Sequence, residues 1–197
     1  MSLRVHSRPV FFSIIATALC LAFVVASNTA SGRAAQQTFP APPADRTLIY
    51  WWDGAALKSL PLEMGTTTLR PEMTAGSDKM GRVELKGETA TTVIGNSEPH
   101  FFLFVPDASG VHPPLLVRLT SKRGARRVTA MAQRGQRGFA IVSEEIVKPH
   151  YRVVARDGGM IYMEVWGREP LQSGEYAFIG SELERIATFR VSETLKY

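Results

Sequence analysis

Residues 47–60 read TLIYWWDGAALKSL, two apolar segments parted by Asp53-Gly54. Asp-Gly supplies the positive φ angles of a type I′ turn, whose twist matches that of paired strands, so the stretch predicts a β-hairpin over about 47–61. The same signal recurs downstream, where YRVVA (residues 151–155) and MIYMEVW (residues 160–166) flank Asp157-Gly158-Gly159. Between and beyond these hairpins lie short runs rich in β-branched and aromatic residues, punctuated by Gly, Pro and Asp. They predict strands at 82–85, 89–94, 101–105, 115–120, 127–131, 138–142, 175–179 and 187–191. No stretch of helical length has a 3.6-residue period. One helical turn is the most that 181–186 allows, with Ser181-x-x-Glu184 as its capping box.

About ten short strands without intervening helices predict an all-β fold: a single antiparallel β-sandwich or partly closed barrel over 47–191, following an N-terminal signal helix. FFLFV at 101–105 is apolar on both faces, as a central strand covered on each side should be. Leu115, Val117 and Leu119 alternate with Leu116, Arg118 and Thr120, the pattern of a strand with one face in water. The chain of 197 residues, 45% hydrophobic and 21% charged, has ordinary globular composition, which argues against a disordered or multi-span protein.

The N-terminus has a different character. Residues 1–9 hold two arginines and no acid, residues 10–26 (VFFSIIATALCLAFVVA) are uncharged and mostly apolar, and ASNTASG follows. Basic, apolar, then small is the order of a secretory signal peptide, here assigned to 1–35 with cleavage between Ser27 and Gln37. An uncleaved anchor through 10–26 in the inner membrane is the competing reading, and it places the remainder on the same, exported side. Cys20 follows Leu19 rather than a small residue, which speaks against lipid attachment there. Removal of the segment leaves a chain without cysteine, and so without disulfides or thiolate chemistry. Residues 36–46, QQTFPAPPADR, predict an extended, flexible Pro-rich leader, and 192–197 a C-terminal tail. The formal charge is +5, but Arg4, Arg8 and Arg33 precede residue 36 and no acid does. The remaining 20 basic and 18 acidic residues leave +2, so the basicity of the whole chain overstates that of its folded part.

Chemistry-bearing motifs are few. His100, His112 and His150 each adjoin a proline, which places them at strand ends and turns, yet no His-x-His or His-x3-His spacing marks a metal site. A Gly-x-Ser-x-Gly elbow is missing, and neighbouring Glu144 and Glu145 would face opposite sides of a strand. The chain also lacks a phosphate-binding Gly-rich loop and an EF-hand loop. The densest charge cluster joins Lys122, Arg123, Arg126 and Arg127 to Arg134 and Arg137 with no acid among them. Such a patch attracts anionic lipid or acidic polysaccharide; alternatively it is a solvated hairpin turn whose arginines protect a sheet edge. Trp51, Trp52 and Trp166 are possible stacking platforms for a sugar ring. Of the adjacent pair one should face the core, and Trp52 is taken as the outward, ligand-binding one.

Taken in order, IYWWDGAALKSL, EPHFFLFVP, PPLLVRL and PLQSGEYAFIG…ATFRV resemble a loosely defined group of uncharacterised exported bacterial β-domains. In that group an Asp-Gly hairpin opens the domain and a Pro-Leu-x-x-Gly-Glu-Tyr-Ala-Phe segment closes it, here Pro170, Leu171, Gly174, Glu175, Tyr176, Ala177 and Phe178. The end differs, with Thr188-Phe189-Arg190-Val191 where an Asp-Phe-Gly-like strand is expected. The resemblance implies export and fold, not an activity.

These readings lead to an exported, periplasmic or extracellular β-sandwich that is non-catalytic, needs no cofactor or metal, and serves as a binding or accessory module of the bacterial cell envelope. Its partners would be anionic lipid, polysaccharide or another envelope protein rather than nucleic acid, with the membrane met only through an uncleaved N-terminal segment. The alternatives are a hydrolase or metal enzyme built on loops from His100, His112, His150, Glu144 and Glu145, and a structural subunit that offers a strand edge to an envelope assembly.

Overall fold

The computed structural model of the chain describes residues 39–69, 79–132, 139–180, 183 and 185–192. The expected signal or anchor segment, Arg134, Arg137, the capping-box residues Ser181 and Glu184 with Glu182 between them, and the tail beyond Ser192 lie outside the described residues. In chain order the strands are β1 (Tyr50–Trp52), β2 (Leu57–Ser59), β3 (Leu62–Glu63), β4 (Thr66–Leu69), β5 (Lys79–Lys86), β6 (Val93–Ile94), β7 (Phe101–Pro106), β8 (Leu115–Lys122), β9 (Ala125–Ala132), β10 (Ala140–Ile141), β11 (Pro149–Asp157), β12 (Met160–Gly167), β13 (Gly174–Ile179) and β14 (Ile186–Val191). They build the all-β sandwich with a partly closed, curled sheet that the strand pattern implies.

One sheet has five strands in the order β11-β12-β7-β1-β2, every neighbouring pair antiparallel. The larger sheet runs β3-β14-β13-β8-β9-β5-β4, with β6 added to β14 and β10 to β9. Period-two alternation sends β7 and β13 side chains to two different cores. Phe101, Leu103 and Val105 meet Leu116, Tyr176, Phe178 and Phe189 between the sheets. Val83, Leu85, Val117, Val128, Ala177 and Ile179 fill a second core, on the face of the larger sheet turned away from the first. Phe101 is fully buried, edge-on to Phe178 at 4.9 Å and tilted on Phe189 at 4.8 Å. The expected water-facing side of β8 is only partial, because Leu116 and Val117 are both buried on opposite faces while Leu115 is exposed.

Both Asp-Gly segments make hairpins, by different turns. Gly158-Gly159, with φ of 56° and 73°, connects Asp157 to its partner Met160 as a two-residue turn. The first hairpin closes instead with a four-residue loop, since Trp52 pairs with Leu57; only Gly54 has positive φ there, and the Asp53 carboxylate accepts the N–H groups of Ala55 and Ala56. Those bonds and the one to Lys58 hold that carboxyl far below the usual range.

Of the leader, the described residues 39–45 form no strand or helix and 46–48 turn into β1; Phe39 and Leu48 join a third apolar cluster, built on Tyr50, Phe102 and Tyr162 on the outer face of the five-stranded sheet. The physical reason lies in β7 and β12: their outward residues are aromatic, and an apolar face of that size needs cover.

Candidate functional site

Of the basic cluster, the structure describes Lys122, Arg123, Arg126 and Arg127, and these four do not share one surface. Lys122 and Arg123 are exposed at the β8–β9 hairpin, whose turn Arg123-Gly124 has φ of 54° and 75° and is held by Glu88 through the Gly124 N–H. Arg126 is 1% exposed; its Nη2 donates to Glu63 Oε2 at 2.5 Å and to the Lys86 carbonyl, and its Nε donates to the Gly87 carbonyl. Arg127, on the opposite face, donates to Glu84 Oε2 at 2.8 Å. Adjacent residues of a strand point to opposite faces, so Arg126 and Arg127 cannot share one surface. Nor do they guard an edge, since β9 lies between β8 and β5.

A different constellation sits on the outer face of the five-stranded sheet. Cross-strand register places His150 of β11 opposite Trp166 of β12, and His100 just before β7 on its other side. The His100 ring stacks on Trp166 at 5.5 Å and the His150 ring lies 5.3 Å from it. Trp52 of β1 lies next in register, its backbone N–H donating to the His100 carbonyl at 2.9 Å. As expected of adjacent residues, Trp51 packs towards the inter-sheet core and Trp52 outward; but Trp52 is half-buried against the aromatic cluster rather than free in solvent.

Beneath this row Glu164 is 4% exposed. Its Oε1 meets His100 Nδ1 at 2.7 Å, and its Oε2 accepts Arg152 Nε at 2.7 Å together with Arg152 Nη2. A buried carboxylate is tolerated only with such partners, and the pair fixes the guanidinium in place. Arg152 then lies over the Phe39 ring at 4.5 Å and near Trp166 at 5.5 Å. Tyr162, stacked on Phe104 at 4.8 Å, has its phenol pushed up to about 12 by burial and, after that, by the charge of Glu164, so it remains a donor at neutral pH.

Of the other sequence-derived residues, His112 is exposed in the loop between β7 and β8. Glu144 and Glu145 sit in a short 3-10 turn, where Glu145 accepts from the Thr129 N–H and hydroxyl. That turn borders a cleft of about 540 Å³, lined among others by Arg118, Glu144, Lys148, Arg168 and Glu169. The structure thus brings His100 and His150 together around Trp166, and separates them from Glu144 and Glu145. Among the described residues no group of three His, Cys, Asp or Glu is placed to hold a metal, and no described helix is long and apolar enough to cross a membrane.

Sequence reasoning missed Glu164 and Arg152. The available signal was a lone carboxylate within the apolar run MIYMEVW, which demands a cationic partner, and Arg152 is the one across the Gly158-Gly159 turn. Compared with known proteins, the chain matches no protein-family model, no curated protein and no solved structure.

Proposed function

We propose that this chain is an exported, non-catalytic binding module of the bacterial cell envelope, and that it holds an acidic polysaccharide on the outer face of its five-stranded sheet. The observation that carries this reading is the row His150–Trp166–His100–Trp52 above the buried Glu164 and its half-buried partner Arg152. The row crosses four strand positions, a strip of roughly 14 Å at the usual interstrand spacing. Flat apolar sugar faces stack on such rings, while imidazole and guanidinium N–H groups at the rim favour carboxylated sugars. Export rests on the basic, apolar and small order of residues 1–35. The exposed Lys122 and Arg123 hairpin adds positive potential, but the ligand is placed away from it.

The test is affinity electrophoresis through gels containing polygalacturonate or the neutral polymer dextran. Retardation by polygalacturonate alone is expected, reduced at least tenfold by Trp166→Ala and weakened by salt, with Arg123→Ala nearly unchanged. Equal mobility of wild type and Trp166→Ala refutes the reading. One observation favours a second role, as an assembly subunit: Tyr151 and Val153 on the edge strand β11 are 45% and 49% exposed. Salt-insensitive, concentration-dependent association in analytical ultracentrifugation would support it.

A further inference from the structure

The outer face carries more than the ring row. Next to it Tyr50, Phe102, Phe104 and Tyr162 form an aromatic floor, and the segment lying across that floor is FPAPPADR, residues 39–46. Proline holds φ near −65°, and Phe39, Ala41 and Pro42 each precede a proline, so residues 39–43 are confined to extended, polyproline-like backbone before they bind, and the chain bends at 44 and turns from 46. It is held through two backbone carbonyls and the side chains at its two ends. The Tyr50 hydroxyl donates to the Asp45 carbonyl at 2.9 Å, Tyr162 reaches the Pro40 carbonyl at 3.5 Å, and the Phe39 ring lies against Arg152. An Arg46–Asp157 ion pair and Arg46 lying over Phe104 at 5.3 Å close the far end.

We infer that this floor is a docking groove for a proline-rich, extended peptide with an aromatic residue ahead of its first proline, and that the chain's own leader occupies it in cis. Docking onto another protein's Pro-rich segment then requires displacing the leader. A tethered occupant acts at an effective concentration on the order of millimolar, so a free peptide competes poorly until the strap is weakened. This goes beyond the polysaccharide reading: the two share Arg152 and Trp52, but His150 belongs to the ring row alone and Tyr50 to the floor alone.

The test uses the full exported chain and a fluorescent peptide, Thr-Phe-Pro-Ala-Pro-Pro-Ala-Asp-Arg, followed by anisotropy. The strap variant F39A/P40A/P43A is expected to bind it at least tenfold more tightly than wild type. Adding Y50F/Y162F to that variant should lower affinity about tenfold, the loss of two neutral hydrogen bonds. No binding to a strap variant with native near-ultraviolet circular dichroism overturns the proposal; so does equal binding to wild type and strap variant that ignores the tyrosine changes. Peptide-free self-association of the strap variant, without peptide uptake, overturns it in favour of a second copy of the chain. If the strap variant does not fold, titration of wild type with millimolar peptide decides by NMR, with saturable displacement of the Trp52 indole signal expected and its absence contradicting. His150→Ala separates the two proposals: it should lose polygalacturonate retardation and keep peptide binding.

Discussion

Arg126 shows how residue identity and residue role part company. With five other basic residues near it in sequence it reads as surface, yet its guanidinium is enclosed with Glu63, whose other oxygen accepts the Thr188 hydroxyl at 2.5 Å. Removing one partner of a buried pair strands the other charge, so Arg126→Ala should destabilise the fold by about 3 kcal/mol in urea unfolding. The double variant Arg126→Met/Glu63→Gln should lose less than the sum of the two single changes. Close by, Glu175 is 6% exposed, its carboxylate accepting the Ala90 N–H at 2.8 Å. Burial outweighs that bond and the charges of Arg126 and Arg190, and raises the carboxyl above its ordinary 4.5. The folded state therefore binds this proton more tightly than the unfolded chain. The resulting stability is present below pH 4.5 and is lost as pH climbs through the raised value. Glu175→Gln keeps an acceptor for Ala90 and removes the charge. Measured from pH 4 to 7, wild type should lose stability relative to this variant; a difference independent of pH would contradict the assignment.

At the scale of elements, β7 and the corner between β3 and β4 make the sharpest demands. Phe101→Ala empties the centre of the inter-sheet core and should cost about 3–5 kcal/mol in denaturant unfolding. Gly65 lies where the chain turns from β3 into β4. A Cβ there would stand 2.5 Å from Ile186 Cδ1 and 3.3 Å from the Leu183 carbonyl oxygen, so Gly65→Ala should cost about 1–3 kcal/mol through strained packing. The central strand was legible because FFLFV is apolar on both faces, and the β11–β12 hairpin because Gly158-Gly159 is flanked by alternating residues. Strands β3 and β4 were not. LE and TTTL are too short or too polar to show a period, and tertiary pairing with β14 and β5 defines them. The seat of the leader on that sheet was not legible for a related reason: proline content reports stiffness, and only the aromatic face of another element decides whether a stiff segment is held.

For the whole molecule, alternation along two-sided strands produces three apolar layers: one between the sheets, one on the far face of the larger sheet, and one outside the smaller sheet. The third layer is the functional proposition, since a sandwich needs only its interior to fold. Trp52, Trp166, His100 and His150 were visible in the sequence, but their convergence was not, and His112 stays apart in its loop. His100, His150 and Trp166 meet through strand register, which is a property of the assembled sheet. The direct test of a ligand on that face is two-dimensional NMR of the protein titrated with oligogalacturonate. Saturable shifts of the Trp166 and Trp52 indole N–H and the His150 ring signals, with Arg123 and Gly124 amides unmoved, are the expected result. Shifts confined to the Lys122–Arg127 hairpin, or none at any concentration, would contradict the account.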